Sequence, residues 1–267
     1  MKIAISQLVS PVTMSMEEFA AKAKDAGYDG AELSLRAEKG PFTYNTTDAE
    51  LNEFKQIFVQ QEMEIFSTTF ALKSGNLLDS GTAAQEAIEQ TIFGLESTAK
   101  LGAPIMLHTL GRLNAELYYE DGYNNAIANL RKLAPIAARL NVTIAIEFVW
   151  NGFLFSPLEM RNLILATGSP YIGFYFDPGN MAVFNFPQHW VRALGHYTKH
   201  VHLKDWEGKA LKGGWTALTK GECNFPVIMR ELRKAGYAGP LVSEVSSSLA
   251  SWEETAKTMR QIAGMGL

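Results

Sequence analysis

Four short runs decide the fold: VTIAIE at 142–147, YIGFYFD at 171–177, HVHLKD at 200–205 and PLVSEV at 240–245. Each is an apolar stretch that carries a carboxylate or an imidazole at or near its end. Alternate side chains of a strand share a face, so Thr143, Ala145 and Glu147 point one way while Ile144, Ile146 and Phe148 point the other. The first set is small and ends in a charge; the second is bulky. Gly173, Tyr175 and Asp177 repeat the pattern, as do Val242 and Glu244. Parallel barrel strands look like this, with large residues toward the helices and a polar group at the carboxyl end of the inward face. Glu147, Asp177, His202 and Glu244 then come from separate strands and form a hard, oxygen-rich set with a single nitrogen. That set suits one divalent cation, Mn²⁺ first, with Co²⁺, Mg²⁺ or Zn²⁺ as alternatives. A structural zinc site would close with Cys or His at short spacing, so the character here is catalytic.

Outward from these runs, strand and helix signals alternate. Residues 3–7 read as a first strand, and Ser15 with Glu18 forms a capping box for a helix that stops at Gly27. DGAELSL at 29–35 is a second strand that turns Glu32 inward. A helix over 48–62, a strand over 64–72, a helix over 83–101 and a strand at 104–110 follow, with His108 near the carboxyl end of the last. The next helix, 124–140, is expected to break or bend at Pro135. Ser156-Pro157 opens a fifth helix and Pro187 a sixth. Residues 206–224 form a long glycine-rich irregular stretch, a length usually tied to function. Phe225-Pro226 opens a seventh helix, and Ser251 with Glu254 caps an eighth. Eight such repeats without a linker predict an α/β fold, a single (β/α)8 TIM barrel forming one domain over 1–267. A Rossmann-type sheet would want a glycine-rich turn after the first strand, and QLVSPVTMS offers none.

Composition agrees. A chain of 267 residues, 47% hydrophobic, has the usual length of one such barrel. A net charge of -4 argues against a nucleic-acid partner. The lone Cys223 fits a reducing compartment and reads as a bystander thiol. No run has signal-peptide or membrane-span length, so a cytoplasmic location without membrane contact is expected. Self-association into a homo-oligomer through exposed helices would be ordinary for a barrel of this size.

The motifs GYDGAELS at 27–34, AIEF at 145–148, FDPGN at 176–180, HVHLKD at 200–205 and GYAGPLVSEV at 236–245 together resemble the xylose isomerase-like TIM barrel superfamily. That group includes sugar epimerases, inosose-processing enzymes, hydroxypyruvate isomerase and type IV endonucleases. The resemblance implies that Glu147, Asp177, His202 and Glu244 bind the metal and that Glu147 and Glu244 also move protons. Two positions depart from the pattern. Asn180 stands where the family commonly has His, and Lys204 is the only cation close after His202, where many sugar-acting members have Arg. The endonuclease branch needs further His ligands, and Thr69, Asn180 and the stretch after Asp205 supply none.

A divalent ion on a carbonyl and its neighbouring hydroxyl stabilises the negative charge of an enediolate, and two carboxylates flanking that plane can move a proton from face to face. The expected activity is therefore epimerisation or isomerisation of a sugar or sugar phosphate, a small polyhydroxylated substrate. The alternative is dehydration of a keto-cyclitol or keto-acid of the inosose or dehydroshikimate type through the same enolate. His108, Asn180, Lys204, Glu32 and Trp206 are the expected substrate contacts. Glu32 could equally pair with a neighbouring cation, and His108 could equally be structural. His200 is expected to be a hydrogen-bonded core histidine. Trp150 and Trp215 also lie where a sugar face could pack, and Ser246–Ser248 could form an anion pocket.

Overall fold

Inward-small, outward-large alternation closes a parallel sheet on itself. A computed structural model describes residues 1–210 and 212–266. Its strands are β1 (Ile3–Ser6), β2 (Gly30–Leu35), β3 (Glu64–Phe70), β4 (Ile105–His108), β5 (Thr143–Glu147), β6 (Ile172–Phe176), β7 (Thr198–Leu203), β8 (Asp205–Lys209), β9 (Lys212–Thr216) and β10 (Leu241–Ser243). Strands β1 to β7 pair in chain order, and β10 joins β7 to β1, so eight parallel strands form a closed barrel. The helices are α1 (Met16–Asp25), α2 (Asp48–Gln60), α3 (Gly81–Leu101), α4 (Tyr119–Leu140), α5 (Pro157–Thr167), α6 (Pro178–Ala182), α7 (Pro187–Leu194), α8 (Phe225–Lys234) and α9 (Trp252–Gly264). Among the described residues no helix is long and apolar enough to cross a membrane.

The local signals act as read. Ser15 and Glu18 close a capping box on α1, and Ser251 and Glu254 close one on α9. Each satisfies two backbone N–H groups that the first helical turn leaves unpaired. Ile144, Ile146, Phe148, Phe174 and Phe176 lie in the main core between barrel and helices. There the Trp190 ring of α7 stacks 5.2 Å from Phe148 and 6.0 Å from Phe174. Inside the barrel the apolar filling is small and includes Leu107, Ala145 and Tyr175 with Ile105 against them. The rest of the lumen is polar and belongs to the site.

Four features differ from the sequence reading. Helix α4 starts at Tyr119 and runs through Pro135 unbroken. Proline removes one backbone hydrogen bond there, and burial of Leu130, Leu133, Ala134 and Ala137 holds the surrounding turns against the barrel. Residues 178–182 form the extra short helix α6. The stretch expected to be irregular after β7 begins with an antiparallel hairpin, β8 and β9, in which Trp206 pairs with Trp215. Its glycines and exposed polar residues gave no alternating pattern to find.

The fourth is His108, which faces out of the barrel. Leu107 takes the inward position, and His108 packs 5.0 Å from the Phe70 ring. Its Nδ1 accepts a hydrogen bond from the Leu110 N–H at 2.8 Å, leaving the proton on Nε2 to bridge to Thr91 Oγ1 at 3.1 Å. Nε2 joins β4 to α3 and Nδ1 ties the strand end to the loop that follows it, so of the two roles expected of His108 it takes the structural one.

Burial lowers the pKa of His108 to about 3. A depressed histidine contributes stability that is present above the unfolded-state pKa of about 6.5 and lost as pH falls toward the folded value. Urea unfolding of wild type and His108→Gln at about pH 7 and about pH 5 is expected to show the variant closing its stability deficit by about 2 kcal/mol at the lower pH. An unchanged deficit would mean that His108 is not held neutral.

Candidate metal centre

Strand ends set the geometry. Glu147 is the last residue of β5, His202 sits near the end of β7, and Asp177 and Glu244 immediately follow β6 and β10. Asp177 is also the N-cap of α6, its Oδ1 accepting the Asn180 N–H at 3.2 Å. The Glu244 N–H donates to the Leu203 carbonyl at 3.2 Å, tying that carboxylate to β7. One ligand atom from each of Glu147, Asp177, His202 and Glu244 lies within 4.8 Å of all the others. His202 Nδ1 is 3.3 Å from Glu147 Oε1, 3.4 Å from Glu244 Oε2 and 3.9 Å from Asp177 Oδ2. Bonds of about 2.1 Å to a small divalent ion place neighbouring ligand atoms about 3 Å apart and opposite ones about 4 Å apart. The donor set therefore fits such an ion. Asp177 Oδ2 is buried, and its close partner is the Lys204 ammonium at 2.8 Å.

The imidazole is aimed from below. Glu32 is fully buried, and its Oε1 lies 2.7 Å from His202 Nε2. Its Oε2 accepts the Tyr175 hydroxyl at 2.5 Å and the Ser67 hydroxyl at 2.7 Å. A proton on Nε2 directed at Glu32 leaves the Nδ1 lone pair facing the carboxylates, the orientation that a metal-binding histidine needs. Burial alone would raise the Glu32 pKa, but His202, His200 and the Tyr175 hydroxyl hold it at about 2. Burial disfavours protonated His202, yet the Glu32 and Glu244 carboxylates outweigh this and raise it well above the usual imidazole range. For Glu147 burial dominates and lifts the carboxyl to about 7 against the pull of His202 and Lys204.

Lys204 Nζ lies 2.8 Å from Asp177 Oδ2 and 2.6 Å from Glu244 Oε2, and 5.0 Å from the centre of the Trp215 ring. Three carboxylates face this one ammonium, an acidic excess that a bound cation would offset. Asn180 Nδ2 donates to Glu147 Oε1 at 3.2 Å and to the Phe148 carbonyl at 3.0 Å, fixing the rotamer of that carboxylate. Gly179 permits the approach of α6, since a Cβ there would come within 2.6 Å of Lys204 Cβ and 3.0 Å of the Trp215 ring. Two cavities meet at the cluster. A 730 Å³ chamber is lined by Glu147, Asn180, Lys204, Glu244, Thr69 and Arg36 among others. A 340 Å³ chamber is lined by Lys204, Glu244, Trp215, Ser246 and Leu249 among others.

The expected contacts divide accordingly. Lys204 and Asn180 reach the cavity walls. Glu32 lies beneath the cluster with all its bonds internal, so of its two expected roles it takes the pairing one. Trp206 is buried within the hairpin and lines neither chamber, because Trp150 and Trp215 cover it with ring centres 5.4 and 5.2 Å away. Trp215 takes the position on the cavity wall. His200 stands edge-on to Tyr175 at 5.1 Å, and neither ring nitrogen has a hydrogen-bond partner among the described residues, contrary to expectation. The hydroxyl of Tyr175 is already committed to Glu32. Asp205 was missed. Its buried carboxylate accepts the N–H groups of Trp206, Gly221 and Cys223 at 3.0, 2.9 and 3.1 Å, and so pins the loop beside Lys204. Its place directly after Lys204 in HVHLKD was the available signal. Cys223 is free and buried there, with its thiol pKa raised by burial and by Asp205.

The sequence model of the family described as xylose isomerase-like TIM barrel matches residues 20–262. The chain belongs to that family. A probable L-ribulose-5-phosphate 3-epimerase UlaE of Mycoplasma pneumoniae is similar to this xylose isomerase-like barrel, 26% identical over 252 residues that cover 90% of this chain and 79% of that one. Among solved structures, a D-tagatose 3-epimerase-like protein superposes with a TM-score of 0.82 at 19% identity, over 98% of this chain and 97% of that one. An L-ribulose 3-epimerase superposes at 0.78 with 20% identity, over 98% of each. At such identities the superpositions establish the fold.

Replacing Glu32 by Gln removes the charge behind His202 while keeping its volume. Calorimetric titration with Mn²⁺ is expected to show affinity weakened by about 10- to 100-fold with the fold retained. Equal affinities would detach Glu32 from the centre.

Proposed function

We infer that the protein is a divalent-metal-dependent epimerase or isomerase of a sugar or sugar phosphate. One observation carries the reading: three carboxylates and a correctly oriented imidazole converge at the floor of a cavity large enough for a ketose. The named proteins are described as a probable L-ribulose-5-phosphate 3-epimerase, an L-ribulose 3-epimerase and a D-tagatose 3-epimerase-like protein, which supports a ketose substrate and epimerisation beside its carbonyl. Glu147, Asp177, His202 and Glu244 would hold the ion, Mn²⁺ by the hardness of the donors. When bound, it supplies a Lewis acid for the carbonyl and the adjacent hydroxyl.

The chain's own residues do the rest. Glu147 and Glu244 come from strands on different sides of the barrel mouth, so one removes the carbon-bound proton beside the carbonyl and the other returns a proton to the opposite face. The electron pair left on carbon is taken up as an enediolate, and it returns to carbon on reprotonation. Asn180 holds Glu147 in one rotamer during both steps. Lys204 pairs with Asp177 and Glu244 and presents its ammonium to a substrate oxygen. Trp215 gives the sugar an apolar face. A single-domain cytoplasmic enzyme without a nucleic-acid or membrane partner is part of the same reading.

Proton NMR in deuterium oxide with a panel of ketoses and ketose phosphates tests it. Deuterium is expected to enter at the carbon beside the carbonyl with inversion and without loss of water; loss of water would instead mark a dehydratase. Glu147→Gln is expected to slow exchange by about 10²- to 10⁴-fold at unchanged fold. A variant with near-normal exchange would remove Glu147 from proton transfer.

A further inference from the structure

Arg36 lies outside every role described so far. It directly follows β2, and its side chain lines the 730 Å³ chamber whose floor carries Glu147 and Glu244. Three contacts fix its place. Its backbone N–H donates to the Phe42 carbonyl at 3.0 Å. Nη2 donates to the Gln7 carbonyl at 3.0 Å, and Gln7 is itself locked by its Oε1 accepting the Ser34 N–H at 2.9 Å. The loop then folds over the arginine stem at Gly40, where φ is +132° and an added Cβ would come within 2.8 Å of Arg36 Cδ.

The guanidinium is thus held in position, but its charge is not answered. Nε is buried without a hydrogen-bond partner, and among the described residues no carboxylate lies within ion-pair distance of the group. Retaining a partly buried, oriented arginine with no counter-ion is costly unless an anion completes it. Arginine is also the side chain whose planar fork matches a phosphate or carboxylate. The charge of Lys204, unlike that of Arg36, is already answered by Asp177 and Glu244. Lys39 lines the same chamber on the exposed loop and adds a second positive charge, beside Glu38.

We propose that Arg36 is the anchor for an anionic group at the end of the substrate remote from the reacting carbon, so that the enzyme takes ketoses ending in a phosphate or a carboxylate in preference to neutral ones. The identity of the reacting end rests on the epimerase reading above. The anchor rests on Arg36 and its chamber.

Calorimetric titration of wild type, Arg36→Gln and Arg36→Lys with inorganic phosphate, L-ribulose 5-phosphate, L-ribulose and a ketose ending in a carboxylate tests the anchor. Wild type is expected to bind an anion-ended ketose at least about tenfold more tightly than L-ribulose. Arg36→Gln is expected to lose about 10- to 100-fold in affinity for phosphate and for the anion-ended ketose, and Arg36→Lys to recover part of that loss. The better of the phosphate and carboxylate ligands identifies the end group. Phosphate affinity equal in wild type and Arg36→Gln, or no wild-type preference for the anionic ligands, would overturn the anchor. Deuterium exchange by wild type is scored separately. Loss of phosphate binding in Arg36→Gln without any exchange by wild type upholds the anchor and sinks the epimerase reading. Exchange with unchanged phosphate affinity does the reverse.

Discussion

Confining three carboxylates at the mouth of one barrel is the constraint on which the rest of the site depends. At an effective dielectric near 20, two like charges about 4 Å apart repel by about 4 kcal/mol, so three mutual repulsions are a serious cost. Lys204, at 2.6 and 2.8 Å from two of the oxygens, offsets part of it. Burial pushes Glu147 up to about 7, and His202 is drawn toward its protonated form, so protons stand in for missing positive charge. A divalent cation would supply that charge in one step, which is why the geometry and the electrostatics point to the same occupant.

The barrel can hold so strained a group because its two faces do different work. Outward, large apolar side chains join the strands to the helices and supply the burial that stabilises the fold. Inward, the apolar filling is confined to a few residues, leaving the lumen to Glu32, Ser67, Tyr175, His200 and His202. Glu32 is the centre of that polar network, with three hydrogen-bond partners from three strands. Its connections make His202 a fixed donor rather than a freely rotating imidazole.

Loops complete what strand ends begin. The short helix after Asp177, the Asp205 clamp and the hairpin bring Asn180, Lys204 and Trp215 to the cavity wall. On the opposite rim, Gln7 and Gly40 present Arg36. A catalytic floor on rigid strands with walls built from loops is how this architecture varies its substrate while keeping its chemistry.

The amino-acid sequence alone determined the order of strands and helices around the barrel, the caps at Ser15 and Ser251, and the candidate cluster Glu147, Asp177, His202 and Glu244. All of these are legible because a strand's period of two and a helix's capping chemistry are local properties. Only the tertiary structure decided the partners. His108 turns outward because β4 ends in register with Leu107 inside. Glu32 lies beneath the cluster because Tyr175, Ser67 and His202 reach it from other strands. Trp206 is covered by Trp150 and Trp215 across a hairpin that has no apolar rhythm of its own, and Arg36 is oriented by Gln7, 29 positions away. Such contacts join residues distant along the chain, and no periodicity within a single segment encodes which of them will meet.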